Sequence, residues 1–516
     1  MGKLFSHLSV VSLLTLLSRF LGLGRDILFF SCFGASLIGE AFILAFTFPN
    51  LFRRMFGEGT LTSAFLPIFT ETNNGESRAN AFTFLNQVIT RMILFLGVLS
   101  FVVCSFSYFG GRGEFALLEK WKVGLFLNGI SFSYIIFICI SALIVASLNS
   151  FGRFFEGAFS PVMLNLCMIA AMLAGKYVLL LEDIELASLL CMGVILAGIL
   201  QLTLPWIQLQ RLFGWKWRFT LSGSNEFTQL KSLFWVGALG AAVGQANILI
   251  SRLFAYTLDG SGGMSYLFIS SRLIELPLGI FAISIATVYF PEMSKAKSLK
   301  DEKNFWEKAL SGLRLTAAIT IPSAVGLALL GDSILTTLFR WGEFGAEEVT
   351  ASNVILAIYC VGLPFYALST FLVKVFHSEK NMRIPVQAAF VSLAVNVLLS
   401  IALIGEYQAK GLAWANVISA ILQTCYLCFR MNQLKITSLF QRNSISLPGI
   451  FLSALVMWFI ISSVQGMMGG PQGKFDHAIN LLIMIPMGLI SYTGVLFLCG
   501  FPELKSLSAK FGISKY

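Results

Sequence analysis

Apolar runs of about 20 residues recur along this chain from one end to the other, and few folds survive that pattern. At 1.5 Å per residue, such a run spans the ~30 Å hydrocarbon core of a bilayer as a helix. The composition agrees: 57% of the 516 residues are hydrophobic and 12% charged, with a mean hydropathy of +0.81. A transmembrane β-barrel would alternate in segments of ~10 residues, and the sequence carries no such pattern. Backbone groups in lipid must bond within their own segment. The chain is therefore expected to be an all-α integral membrane protein.

The runs predict about 14 transmembrane helices, at 8–36, 39–69, 81–109, 123–149, 158–181, 186–211, 227–257, 264–293, 305–331, 350–377, 384–405, 411–431, 446–467 and 478–500. The second run is expected to break near Pro49 and again at Gly57–Gly59, and Asp332–Val349 reads as an external loop. Arg19 interrupts the first run and no small-residue cleavage site follows, so that run reads as a retained span rather than a signal peptide. Lysine and arginine crowd alternate loops, including Lys295, Lys297, Lys300 and Lys303, whereas Leu181–Glu185 holds three carboxylates and no base. That asymmetry places both termini in the cytoplasm and accounts for the net charge of +10 without nucleic acid.

An internal repeat is visible. Pro67 and Pro291 end corresponding runs and Pro161 and Pro385 begin others; both pairs lie 224 residues apart. Six spans separate the equivalents, an even number, so the halves are parallel repeats about an axis along the membrane normal. We expect two pseudo-symmetric six-helix lobes, 1–222 and 223–440, then two extra helices as a lipid-facing pair over 441–500 and a short basic tail over 501–516.

Against this background Ser18–Thr60 is anomalous. It carries Arg19, Arg25, Asp26, Glu40, Arg53, Arg54 and Glu58 inside otherwise apolar runs. A charge at the bilayer centre costs at least ~2.5–3.5 kcal/mol, so such residues face a bundle interior or a wet cavity. Arg19 and Asp26, seven apart, share a helix face, and Gly22 and Gly24 between them weaken the helix. Arg54 and Glu58 have i,i+4 spacing for a pair. Arg272 lies deep in the eighth run with Glu275 three residues on and Pro277 after it. The bland readings are that Arg19, Arg53 and Arg54 anchor at the surface and that Arg272–Glu275 is an internal brace. The sharper one is a cavity for an anion, because the guanidinium fork binds phosphate oxygens bidentately.

Other polar residues, among them Gln245, Asn247, Asn396, Ser400 and Asn416, suit hydrogen bonds between helices. The nine cysteines, including Cys425 and Cys428, and the scattered His7, His377 and His477 offer no metal spacing. No hydrolase, zinc or nucleotide-binding motif is present. An enzyme and a bound cofactor are therefore not expected, and transport would draw on the membrane potential or an ion gradient.

The segments SRFLGLGRD at Ser18–Asp26, FPNLFRRMFGEG at Phe48–Gly59, AFLPIF at Ala64–Phe69 and SSRLIELPLGI at Ser270–Ile280 resemble the MurJ/MviN family of lipid II flippases, in the MOP exporter superfamily. The resemblance covers essentially the whole chain. It implies a V-shaped pair of lobes in a bacterial cytoplasmic membrane. It also implies movement of lipid II, the undecaprenyl-diphosphate-linked peptidoglycan precursor, from inner to outer leaflet, beside membrane lipids and the cell-wall synthesis machinery. Its essential cavity arginines fall on Arg19, Arg25, Arg53 and Arg272, with Asp26, Glu40, Arg54, Glu58 and Glu275 as cavity or gating residues. An acidic residue that is usually Asp is Glu40 here. A lysine of some relatives is Thr47, so that position supplies no cation; a carboxylate that helps bind Na+ in some relatives is replaced near Ser400, which counts against Na+ coupling. The alternatives carried forward are another polyprenyl-diphosphate oligosaccharide flippase, a drug exporter, which the arginine excess opposes, and a non-transporting scaffold of wall synthesis.

Overall fold

The computed structural model describes residues 2–57, 60–75, 77–112, 119–432, 446–468, 471 and 473–504. Every regular element among them is helical. The order is α1 (Gly2–Phe33), α2 (Leu37–Phe52), a π-helical turn π1 (Arg53–Gly57), α3 (Thr60–Gly75), α4 (Arg78–Arg112), α5 (Glu119–Ser131), α6 (Tyr134–Ser150), α7 (Phe155–Leu173), π2 (Ala174–Val178) and α8 (Asp183–Phe213). Then come α9 (Asn225–Tyr256), α10 (Gly263–Pro277), π3 (Leu278–Ala282), α11 (Ile283–Ser298), α12 (Glu302–Phe339), α13 (Ala346–Ser378), α14 (Arg383–Asn432), α15 (Ser446–Met468) and α16 (Lys474–Leu498). Ten helical stretches among the described residues are long and apolar enough to cross a membrane. Large apolar side chains such as Phe101, Leu398, Phe459 and Ile490 stay more than half exposed, as suits a surface solvated by lipid.

The chain forms two compact units. The first is Met1–Tyr256 with Gly260–Gly262 and Trp341–Phe344; the second is Thr257–Asp259, Gly263–Arg340 and Gly345–Tyr516. The repeat and the contacts divide the chain differently at α9: by sequence it opens the second repeat, yet it lies against α2 and α3 of the first unit. In the second unit α15 and α16 bury Ile450, Met457, Met484 and Tyr492 against Ala317, Ala318 and Leu330 of α12.

Several boundaries depart from the expected ones. The helix does not break at Pro49; α2 runs through it to Phe52 and then widens into π1. α1, as expected of the first run, passes unbroken through Gly22 and Gly24. The fourth apolar run is two helices, α5 and α6, with Phe132 and Ser133 between them. Asp332–Val349 is not one loop: α12 continues to Phe339 and α13 starts at Ala346. Ser333, Thr336 and Phe339 form a buried helical stripe there, and Ser333 receives the amide of Asn480 from α16 at 3.2 Å. The eleventh and twelfth runs both fall within α14, kinked at Gln408 (φ 46°).

The prolines show how apolar helices bend without stranding polar backbone. A proline in a helix leaves the carbonyl four residues earlier without its N–H. Pro49 frees Ala45 O, which receives Ser131 Oγ of α5 at 3.4 Å. Pro205 frees Gln201 O, which receives Ser141 Oγ of α6 at 2.6 Å. Pro322 frees Ala318 O, which receives Tyr492 OH of α16 at 2.6 Å. In these three cases a hydroxyl on another helix stands in for the missing donor, as apolar surroundings demand of a freed carbonyl. Two of the π-helical turns, π1 and π3, begin 225 residues apart.

Candidate functional site

Two arginines of α1 have opposite settings. Arg25 is 9% exposed. Its Nη2 and Nε donate to Asp26 Oδ1 at 2.6 and 3.0 Å, and its Nη1 donates to Asn165 Oδ1 of α7 at 3.0 Å. Asn165 Nδ2 donates to Ser18 O at 3.0 Å, which fixes the orientation of that amide. Arg19, six residues and ~9 Å earlier on the helix, lies exposed. Asp26, which shares a helix face with Arg19, is bound by the adjacent Arg25, whose side chain also reaches α7.

On α2 and π1, Arg53 Nε donates to Asn50 Oδ1 at 3.0 Å, and Arg54 is half-buried in the same wide turn. Glu58, expected to pair with Arg54, lies outside the described residues. Thr47 is 2% exposed; its hydroxyl donates to Ile43 O at 2.6 Å and accepts from Arg252 Nη1 of α9 at 2.5 Å. The sequence reading passed over Arg252, one more basic residue near the end of a span.

Glu40 is fully buried. Its Oε2 lies 2.7 Å from Lys120 Nζ of α5, and its Oε1 accepts the N–H of Gly262 at 3.0 Å. Lys120 Nζ also donates to Gly260 O at 3.2 Å and stands 4.9 Å from the centre of the Tyr256 ring, whose hydroxyl donates to Lys120 O. This buried ion pair joins α2, α5 and the segment after α9. Lys120 too was missed: it stands between Glu119 and Lys122 just before an apolar run and reads as an interfacial base.

Arg272, in the second unit, donates from Nη1 to Glu275 Oε2 at 2.9 Å and has its guanidinium carbon 4.9 Å from the Phe268 ring centre. Both partners keep solvent access, at 30% and 49% of the side chain. Of the four arginines expected to act together, Arg19, Arg25 and Arg53 thus belong to the first unit and Arg272 to the second.

Elsewhere, Ser400 Oγ lies 3.4 Å from Asn396 Oδ1, a buried pair of neutral groups. Among the described residues no cluster of three or more His, Cys, Asp or Glu could hold a metal ion. All nine cysteines are free thiols.

The family described as lipid II flippase MurJ matches residues 29–473. A probable lipid II flippase MurJ of Buchnera aphidicola from Acyrthosiphon pisum is 33% identical over 479 residues, covering 90% of this chain and 91% of that protein. One from Bdellovibrio bacteriovorus is 29% identical over 502 residues, covering 96% and 94%. Among solved structures, a lipid II flippase MurJ in an inward closed conformation is 28% identical and superposes with a TM-score of 0.78, over 94% of this chain and 98% of that one. An inward-facing multidrug transporter of the MATE family, in the MOP superfamily, superposes at 0.63 with 13% identity, over 82% and 96%, a likeness of fold alone.

Proposed function

Because the chain belongs to the MurJ family of lipid II flippases, we propose that it flips lipid II, a lipid-linked diphosphate, across the bacterial cytoplasmic membrane. The observation that carries this reading is the likeness to a solved lipid II flippase over nearly the full length of both chains. The charge on its helices supports it: α1, π1, α9 and α10 bear arginines within apolar sequence. A diphosphate is dianionic or more, and each guanidinium offers it two parallel N–H bonds.

In this reading the chain makes fourteen crossings with both termini cytoplasmic, arranged as two six-helix lobes, 1–222 and 223–440, and the pair over 441–500. The lobes rock about a central site and open alternately to the two faces, carrying the diphosphate from inner to outer leaflet. Arg19, Arg53 and Arg272 contact the diphosphate directly. Arg25 joins them by exchanging Asp26 for phosphate oxygens, and Arg272 likewise leaves Glu275, which balances it when the site is empty. Glu40 acts at the gate through its contacts with Lys120 and Gly262. Arg54 and Glu58 line the same path. The membrane potential or an ion gradient drives the cycle, and the cell-wall synthesis machinery receives the product.

The test is replacement of the resident flippase in a conditional depletion strain, with the sidedness of lipid II as readout. Sustained growth and outward lipid II are expected. Lipid II trapped in the inner leaflet, with this protein inserted at normal level, would overturn the proposal.

A further inference from the structure

We infer that Arg252 is a further diphosphate ligand, delivering to α2 from the neighbouring helix α9 the cation that Thr47 does not provide. The inference deepens the proposed function and rests on it for the identity of the anion.

Three observations meet at this residue. The first is contact: Arg252 Nη1 lies 2.5 Å from Thr47 Oγ1. That hydroxyl already donates to Ile43 O, so it meets Arg252 with a lone pair.

The second is place. Glu40 and Thr47 are seven residues apart and share a face of α2. That face is turned to α9 and the segment after it, since Glu40 receives Gly262 N–H and Thr47 receives Arg252. Six residues on, ~9 Å along the helix, stands Arg53 with its own guanidinium held by Asn50. Two long side chains at that spacing can converge on one diphosphate. All these residues lie within the first unit.

The third is the repeat. At the 225-residue offset that relates π1 to π3, the equivalent of Thr47 is Arg272. The second repeat carries a cation on its own helix, six residues before the π-turn. The first repeat has a threonine there, with a guanidinium laid on it from α9. Both repeats therefore present one arginine fork at the same station, by different routes.

The experiment has two readouts, lipid II sidedness in the depletion strain and affinity of the purified full-length protein for undecaprenyl diphosphate over the monophosphate. Arg252→Gln keeps a donor for Thr47 but drops the charge, and should lose roughly 10- to 100-fold in diphosphate affinity, the worth of a hydrogen bond to a charged group. Thr47→Val removes the hydroxyl, leaves the cation, and should bind almost normally. The exchange Arg252→Thr with Thr47→Lys should recover most of what Arg252→Thr loses, because the departing guanidinium vacates the space the lysine needs. Native affinity in Arg252→Gln would overturn the inference. So would equal losses in Arg252→Gln and Thr47→Val, the mark of a pin between α2 and α9, or an exchange variant that inserts normally yet binds no better than Arg252→Thr. If the native chain leaves lipid II inside but still binds the diphosphate through Arg252, the flippase proposal falls and this inference stands.

Discussion

Lys120→Met should be among the most destabilising single changes in the first unit. The Glu40 carboxylate has no solvent exposure and the Lys120 side chain only 11%, at a separation of 2.7 Å. Methionine keeps the aliphatic stem and removes the charge, so the buried Glu40 carboxyl keeps the Gly262 N–H but loses the Lys120 ammonium. Removing one partner of a buried pair costs about 3–5 kcal/mol, because the other charge is left uncompensated. Glu40→Gln should cost less: Lys120 keeps Gly260 O and the Tyr256 ring, and glutamine still offers Gly262 an acceptor oxygen. Combining the two leaves no net charge in the site, so the double variant should be more stable than Lys120→Met alone. The assay is a double-mutant cycle on unfolding free energies in mixed micelles, with a coupling of roughly 2 kcal/mol expected, within the range for contacting residues. A Lys120→Met variant within about 1 kcal/mol of native, or effects that simply add, would refute the reasoning.

Ser141→Ala should cost about 1–3 kcal/mol by leaving Gln201 O without a donor; adding Pro205→Ala, which returns the backbone N–H, should recover most of it in the same unfolding assay. Gly342→Ala should destabilise by at least ~1–2 kcal/mol from the left-handed backbone alone, since Gly342 has φ +56° and an added Cβ would overlap Ser31 O; Gly326→Ala, with open space around it, should be neutral or slightly stabilising. Arg272→Ala should abolish lipid II translocation at normal protein level, with Arg272→Lys impaired and Glu275→Gln milder. The half-exposed Arg272–Glu275 pair is worth only ~0–1 kcal/mol, so a fall in protein level rather than in transport would identify a brace instead.

Hydropathy marked most of the helical segments, because an apolar run long enough for a bilayer has few other uses. It failed where a polar stripe is buried by another part of the protein. Asp332–Phe339 read as part of a loop together with Arg340, Trp341 and Gly342, yet Ser333 meets the buried His477 and Asn480 of α16. It also hid the division of one run into α5 and α6, since Phe132 and Ser133 are no less apolar on average than their neighbours.

The candidate site was legible as a set of charges and illegible as a set of pairs. Spacing along a helix identifies partners only within that helix, and the decisive contacts here join residues far apart in sequence. Lys120 meets Glu40, Asn165 meets Arg25, and Arg252 meets Thr47. Asn165 lies four residues after Pro161 in an apolar run, and nothing local ties it to Arg25. Hydroxyls raise the same difficulty. Ser131, Ser141 and Tyr492 each complete a carbonyl freed by a proline on another helix, whereas the hydroxyl of Thr47 receives a guanidinium. In sequence these are interchangeable polar residues in apolar runs. A hydroxyl opposite a proline-freed carbonyl answers a demand of the backbone, and its loss should be felt in stability. A hydroxyl under an arginine leaves the backbone satisfied without it, and its neighbourhood should be felt in binding. That distinction rests on which atom each oxygen faces, and it sorts residues that look alike in sequence into those whose loss is read in stability and those whose neighbourhood is read in binding.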